Sequence, residues 1–296
     1  MKLNKFNTII TALTVATMWD LLSVAKPVDA ATTRLIGLTD TNTLVSFDPS
    51  NPSNTSSLTV TGIAGNLLGI DFRPANGLLY GVTDTSGIYS IDLNTGAASQ
   101  VGASPFTPAL NGSSFGFDFN PTVDRIRLVS DADQNLRLNP ITGAVAAVDT
   151  PLAYAGGTQN PNVVASAYTN NFAGATTTQL FDIDSNLDVL VLQNPPNAGT
   201  LNTIGSLGID FGSTGGFDIL TANGVDTAYA ASGSNLYNIN LSSGAATALG
   251  TVGSGGVNII GLAATQVPEP GTVGSLIGFG ALGLLSRCRR RVKSPS

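Results

Sequence analysis

The central part of the chain alternates apolar and polar residues in short runs that are separated by turn-forming residues. Four such runs occur in LLGIDFRPANGLLYGVTDTSGIYSIDLNTGAASQVG, which starts at Leu67. Alternation over about four to eight residues is typical of half-buried β-strands, and Asn-Thr-Gly suits the turn between the third and fourth strands. The segment therefore predicts a sheet of four short antiparallel strands.

The same pattern recurs along the chain. A second copy, SFGFDFNPTVDRIRLVSDADQNLRLNPITGAVAAVD, starts at Ser114, and a looser copy runs from Val163 to Gly205. The third-strand phrase returns as LYNINLSSGAATALG from Leu236. The residues that anchor the first strands are Gly69, Gly116, Ala165, Gly216 and Gly261, at spacings of 45 to 51 residues. A four-stranded repeat of this length is typical of a β-propeller blade.

The first and last pieces of the pattern are incomplete in a complementary way. The fifth first strand, NIIGLAAT from Asn258, has no second strand after it, whereas RLIGLTDT, TLVSFDPS and SSLTVTG near Arg34 read as a second, third and fourth strand without a first. Pairing the two pieces would complete a blade and leave no open sheet edge. The sequence thus predicts an all-β, five-bladed β-propeller over residues 32–266, closed by strands from both ends of the domain. The alternative is an open β-sandwich.

Residues 1–31 have the pattern of a secretory signal peptide. Lys2 and Lys5 precede an apolar run from Ile9 to Ala25, and small residues follow at Val28-Asp29-Ala30. A positive segment, an apolar segment and a small-residue cleavage site in this order indicate export.

Residues 267–296 have a pattern of their own. Pro268, Glu269 and Pro270 are followed by a Gly-rich apolar run from Thr272 to Ser286 and then by a cluster of Arg residues. The run is shorter than the roughly 20 residues of a lasting transmembrane helix, and the Arg cluster would stay in the cytoplasm. A permanent short anchor is the alternative to a temporary one.

This arrangement resembles the PEP-CTERM sorting signal of exported bacterial and cyanobacterial proteins. The resemblance implies that an exosortase-type enzyme is a partner and cuts near Pro-Glu-Pro. It also implies transient insertion of the short C-terminal helix into the inner membrane, and a final location at the cell surface or outside the cell, commonly in cells that make exopolysaccharide.

Charge is strongly unbalanced in the predicted domain. Between Thr32 and Gln266 the chain has 16 Asp, no Glu, no Lys and five Arg, which gives a net charge of −11. Such a surface repels nucleic acid and anionic lipid headgroups, so the binding partners that suit it are cations, neutral glycans or basic molecules. The single Cys, Cys288, lies in the Arg-rich tail, so an intramolecular disulfide is excluded.

The residues for most catalytic sites are missing from the sequence. It has no His, so Ser-His and Cys-His nucleophiles are excluded, and it has neither a phosphate-binding Gly-Lys motif nor a zinc-binding Cys/His spacing. We therefore predict a non-catalytic binding or scaffolding protein for exopolysaccharide or matrix components, without a cofactor except a calcium ion. The alternatives are a secreted glycan-active hydrolase or lyase that uses Asp carboxylates, and a purely structural coat protein.

Three carboxylates recur at one position of the repeat. Asp71, Asp118 and Asp218 each stand two residues after a first-strand Gly. The innermost strands of a propeller line its central channel, so inward-facing carboxylates would gather there and bind a hard cation such as Ca²⁺. The alternative is that each Asp caps the turn that follows it.

Two further groups are candidates for binding. Arg125, Arg127 and Arg137 stand close together among Asp residues, and could either hold a ligand carboxylate or pin adjacent blades together. The segment from Asp182 to Asp188 places oxygen side chains at alternate positions, as at the start of a calcium loop, but lacks the Gly and Glu that such a loop requires. A strand that ends in an Asx turn explains the same residues.

Several phrases of the central region also resemble a family of bacterial exported proteins with a domain of unknown function. They are GFDFNP from Gly116, DRIRLVS from Asp124, QNLRLNPITG from Gln134 and QNPPNAGTL from Gln193. The resemblance implies a propeller-like fold and brings no activity with it.

Overall fold

The computed structural model describes residues 31–102 and 105–267. Their regular structure is β-strand, apart from one 3₁₀ turn at Pro196–Ala198. The predicted signal peptide and sorting helix lie outside the described residues. Within the described ranges, no helix is long and apolar enough to cross a bilayer.

The strands form five sheets arranged as the five blades of a β-propeller, which confirms the predicted fold class. Blade 1 contains β1 (Thr32–Thr39), β2 (Thr43–Asp48), β3 (Asn51–Thr59) and the last strand of the domain, β21 (Ile259–Val267). Blade 2 contains β4 (Leu67–Phe72), β5 (Leu79–Thr83), β6 (Ile88–Ile91) and β7 (Ala98–Val101). Blade 3 contains β8 (Phe115–Asn120), β9 (Arg125–Ser130), β10 (Asn135–Leu138) and β11 (Val145–Val148).

Blade 4 contains β13 (Val163–Tyr168), β14 (Leu180–Asp184), β15 (Val189–Gln193) and β16 (Thr200–Ser206), and the short strand β12 (Ala153–Tyr154) adds to its outer edge. Blade 5 contains β17 (Gly215–Ala222), β18 (Val225–Ser232), β19 (Asn235–Ile239) and β20 (Ala246–Thr251). The innermost strands are β21, β4, β8, β13 and β17, and these are the five first strands that the repeat predicts.

Blade 1 is completed by strands from both ends of the domain. Strand β21 pairs antiparallel with β1, from Thr32 opposite Val267 to Leu38 opposite Gly261. The pairing is as the two incomplete sequence pieces predict. It closes the ring with hydrogen bonds, and leaves the beginning and end of the described domain side by side.

The core lies between neighbouring blades, and its composition differs around the ring. Four of the five blade interfaces hold a cluster of at least ten buried apolar residues. The cluster between blades 3 and 4 has only five, which are Val129, Leu152, Val163, Val191 and Leu201. Polar side chains occupy the rest of that interface, which makes it the most polar joint of the ring.

The ring has two distinct faces. The innermost strands end on one face, which we call the tail face, and this face also carries both ends of the described domain at Thr32 and Val267. The opposite face, which we call the loop face, carries the connections between consecutive blades. The longest of these connections join β7 to β8 and β11 to β13.

Candidate functional site

The innermost strands approach one another unusually closely, and glycine makes this possible. A Cβ at Gly116 would lie 2.5 Å from the Cβ of Ser166 in the next blade, and a Cβ at Gly216 would lie 2.4 Å from the backbone N of Leu262. Any larger residue would therefore push two blades apart. These glycines explain why the first-strand anchors are so regular in the sequence.

Each Asp two residues after these glycines bonds to the next blade. Asp71 accepts the Phe119 N–H at 2.8 Å, Asp118 accepts the Tyr168 N–H at 3.1 Å, and Asp218 accepts the Ala264 N–H at 2.5 Å. In this order, the three bonds link blade 2 to blade 3, blade 3 to blade 4, and blade 5 to blade 1. The second oxygens of Asp71 and Asp218 accept the N–H of their own following residue. The observed bonds thus join strands, and do not cap the turns that follow.

Asp71, Asp118 and Asp218, which we call the axial carboxylates, meet at the centre of the ring. All three are buried, and one ligand atom from each lies within 4.8 Å of the others. Burial raises the pKa of all three, that of Asp218 to about 7, and neighbouring carboxylate charges raise the pKa of Asp71 and Asp118 further. Blades 1 and 4 have Ala263 and Ala167 at this position, so the ring of carboxylates is incomplete.

A small cavity lies on the axis next to the axial carboxylates. Its walls are residues of all five innermost strands, just before the position that the axial carboxylates occupy in blades 2, 3 and 5; they include Gly116, Ser166 and Gly216. The space open to the centre of a water molecule is about 10 Å³, which is room for about one water molecule or ion.

Arg127 is buried at the polar joint between blades 3 and 4. Its guanidinium donates to Asn135 at 2.6 Å, to Asp149 at 2.7 Å and to the Tyr168 hydroxyl at 3.3 Å, and it reaches Asn197 of blade 4 at 2.7 Å. The structure therefore places Arg127 in a blade-pinning position.

The two neighbouring Arg candidates have other contacts. Arg137 forms two 2.8 Å bonds to Asp149 within blade 3. Arg125 donates to the backbone carbonyls of Val123 and Asp124. Arg127 and Arg137, which lie opposite each other in the β9–β10 pairing, thus share Asp149, whereas Arg125 lies apart from them.

Asp182 is the residue whose role the sequence does not indicate. It is fully buried on β14, opposite Ser166 in the β13–β14 pairing, and neither of its oxygens has a hydrogen-bond partner. Burial raises the pKa of Asp182 to about 7. The nearby Ser166 hydroxyl and the positive charge of Arg127 lower this pKa in part, although the Ser166 Oγ has no hydrogen-bond partner.

The remainder of the Asp182–Asp188 segment has structural contacts. The Asp184 carboxylate accepts the N–H of Asn186 and Leu187, which is an Asx turn at the end of a strand. Asp188 accepts the Phe211 N–H at 2.8 Å. The oxygen side chains of this segment therefore do not converge on one point as those of a calcium loop do.

Comparison with known protein families shows which family this chain belongs to. Residues 43–263 match the family described as Domain of unknown function (DUF4394). The chain belongs to this family. Residues 266–291 match the PEP-CTERM protein-sorting motif, which implies an exported, surface-associated protein that an exosortase-type enzyme processes. No curated protein matches the chain.

Two solved structures are distantly similar to the DUF4394 chain. One is a structural genomics protein of unknown function from Bacteroides thetaiotaomicron, at 16% identity and a TM-score of 0.45 over 74% of this chain and 58% of that one. The other is PorZ, an essential bacterial surface component of the type-IX secretion system of Porphyromonas gingivalis, at 13% identity and a TM-score of 0.40 over 74% and 29%. The chain spans less than two thirds of either protein, and similarity at this level supports no conclusion about function.

Proposed function

We propose that this exported propeller binds or scaffolds extracellular matrix material, such as exopolysaccharide, without catalysing a reaction. The main support is the position of the domain ends. Thr32 and Val267 pair side by side on the tail face, and the sorting motif begins at residue 266. A domain held from its tail face leaves its loop face free for partners.

The loop face has the character of a polar binding surface. Inter-blade connections and strand turns place seven Asp residues there, of which Asp40, Asp84 and Asp210 are exposed. None of the five Arg residues of the described ranges is itself part of these connections and turns. Loops on a rigid scaffold commonly carry binding residues, and acidic loops suit hydroxyl-rich or basic partners.

The glycan-cleaving alternative needs two carboxylates that face a bound sugar. In the part of the chain that the structure describes, the axial carboxylates are the group of three acidic residues that gathers within ligand distance. They are buried and bonded to backbone N–H groups, and the adjacent cavity is far smaller than a sugar ring. These features count against cleavage of a sugar at the axial carboxylates.

The processing route forms part of the proposal. Residues 1–31 would direct export, the apolar run from Thr272 to Ser286 would enter the inner membrane transiently, and cleavage near Pro268, Glu269 and Pro270 would release the mature domain or attach it at the cell surface by its tail face.

A binding assay with isolated exopolysaccharide tests the proposal. Purified exported protein is mixed with the polymer, and both co-sedimentation and released sugar are measured. We expect binding without sugar release. The double variant Asp40→Ala and Asp210→Ala on the loop face should weaken binding about tenfold, because two exposed acceptors are lost.

The matched control is Asp48→Ala with Asp92→Ala, which removes two carboxylates from the tail face and should leave binding unchanged. Equal weakening by both pairs would contradict a loop-face site. Sugar release would favour the hydrolase, and absence of binding would favour the coat protein.

A further inference from the structure

The axial carboxylates have no ion-pair partner among the described side chains. Arg73, the nearest candidate in the sequence, pairs with Asp124. Arg127 pairs with Asp149. Three negative charges this close in a buried site repel one another strongly, because the local dielectric is low. Either protons or a cation must offset them.

We propose that the axial carboxylates bind one hard divalent cation, and that calcium is the best match. Oxygens that ligate one Ca²⁺ lie about 2.3–2.6 Å from it, so two of them are at most roughly 5 Å apart. The 4.8 Å limit on the axial oxygens satisfies this condition. Calcium also accepts irregular sets of oxygen ligands, whereas Mg²⁺ requires nearly ideal octahedral geometry.

A second observation points to a ligand in the axial cavity. Ser166 is 1% exposed, lines the axial cavity and has no hydrogen-bond partner for its Oγ. The other four innermost strands carry apolar residues at this position, which are Ile70, Phe117, Phe217 and Leu262. A buried hydroxyl without a partner is unfavourable unless a ligand completes its bonding. Ser166 is therefore a candidate neutral oxygen ligand.

Asp182 completes this arrangement as a positioning residue. It lies opposite Ser166 in the β13–β14 pairing, and its charge acts on Asp118. If the Ser166 hydroxyl donates to Asp182, its lone pairs are free to face the cation. This arrangement would give the Ser166 hydroxyl an acceptor and one of the two Asp182 oxygens a donor, whereas neither residue has a hydrogen-bond partner in the structure.

The ion would tie the innermost strands of blades 2, 3 and 5 together at the axis. A site with three carboxylates and few other ligands should be weak, in the range of about 10⁻⁴ to 10⁻³ M that is typical of extracellular calcium modules. Calcium would then stabilise the closed ring and take no part in binding at the loop face.

Calcium titration of the full exported protein tests this inference. The protein is unfolded, refolded in a chelator so that the buried site starts without metal, and its melting temperature is followed as CaCl₂ is added. At free Ca²⁺ about 100-fold above Kd, we expect a rise of roughly 5–10 °C. Calorimetry should give one site per chain, and MgCl₂ should have a smaller effect.

Three variants locate the site. Asp118→Asn keeps an acceptor for the Tyr168 N–H but loses a charge, so the calcium-dependent rise should disappear. Ser166→Ala should weaken calcium affinity about tenfold. The control Asp92→Asn removes one exposed carboxylate from the tail face and should respond like the unmutated protein.

Each contrary result overturns the inference. No rise in the unmutated protein would mean that protons offset the axial carboxylates, and a rise that persists in Asp118→Asn would place the ion elsewhere. A larger effect of Mg²⁺ would overturn the choice of calcium. If Asp118→Asn does not fold, unchanged calcium affinity in Ser166→Ala would count against the site.

Discussion

Replacing Arg127 with Met should destabilise the domain far more than the same change at Arg125, two residues earlier on the same strand. Arg127 is 1% exposed and donates to four side chains, of which those of Tyr168 and Asn197 lie across the joint in blade 4. Met fills similar space but donates nothing, so the Tyr168 hydroxyl and two Asn carbonyl oxygens lose their donor. Asp149 keeps its bidentate bonds to Arg137.

The size of the effect follows from these contacts. Removing one partner of a buried ion pair costs about 3–5 kcal/mol, and each buried group left unsatisfied costs about 1–3 kcal/mol. Because Asp149 retains one cation, we expect the Arg127→Met change to lower the free energy of unfolding by about 3–5 kcal/mol in total. That is a large share of a typical domain stability of about 5–15 kcal/mol, and should lower the Tm by roughly 6–20 °C.

Thermal melting and denaturant unfolding of both variants test this difference in stability. Arg125 donates only to nearby backbone carbonyls, so Arg125→Met should change stability by less than about 0.5 kcal/mol. Similar Tm values for the two variants would refute the blade-pinning role of Arg127. A fully stable Arg127→Met protein would do the same, and would reopen the role of Arg127 as a ligand-binding residue.

Three further predictions concern processing, ring closure and pH. Intact mass of the exported protein should show an end near Pro268 and no Cys288; a retained Arg-rich tail would mean a permanent anchor. Deleting residues 258–265 should cost on the order of 5 kcal/mol or more and abolish cooperative melting, because blade 1 loses its innermost strand; an unchanged melt would contradict ring closure. Without divalent cations, Tm should fall between about pH 4 and pH 7, because Asp182 and Asp218 have pKa values of about 7 when folded against 3.8 otherwise, so that stability present below pH 4 is lost as the pH rises to the folded pKa. Asp182→Asn should flatten this slope, and a flat profile in the unmutated protein would show that neither group is protonated on folding.

The fold could be predicted from the sequence because its determinants are local and repeated. Alternation identifies the strands, and glycines such as Gly69 and Gly116 recur where innermost strands come too close for a side chain. The incomplete blade fragments at the two ends predict ring closure, since each fragment alone would leave an open edge.

The site is only partly predictable, because its determinants are contacts between distant segments. The recurrence of the axial carboxylates predicts that they meet, but not that each accepts a backbone N–H from the following blade. Arg127 reaches Asn197 from 70 positions away, and no spacing rule indicates that pair. The alternating Asp182–Asp188 pattern suggests a calcium loop, whereas the fold turns Asp182 into the core and Asp184 into an Asx turn.

The joint between blades 3 and 4 is where these features act together. Its apolar cluster is the smallest of the five, so it depends more than the others on the Arg127 bonds and on the Asp118–Tyr168 bond beside the proposed ion. Local opening should begin at the least stabilised interface. We therefore expect the Tyr168 amide to exchange with solvent faster in Arg127→Met, and added calcium to restore part of its protection. Two perturbations of one joint should also be non-additive, so calcium should raise the Tm of Arg127→Met by a different amount from that of the unmutated protein. Equal increments, with no change in Tyr168 exchange, would mean that the ion and Arg127 stabilise separate parts of the ring.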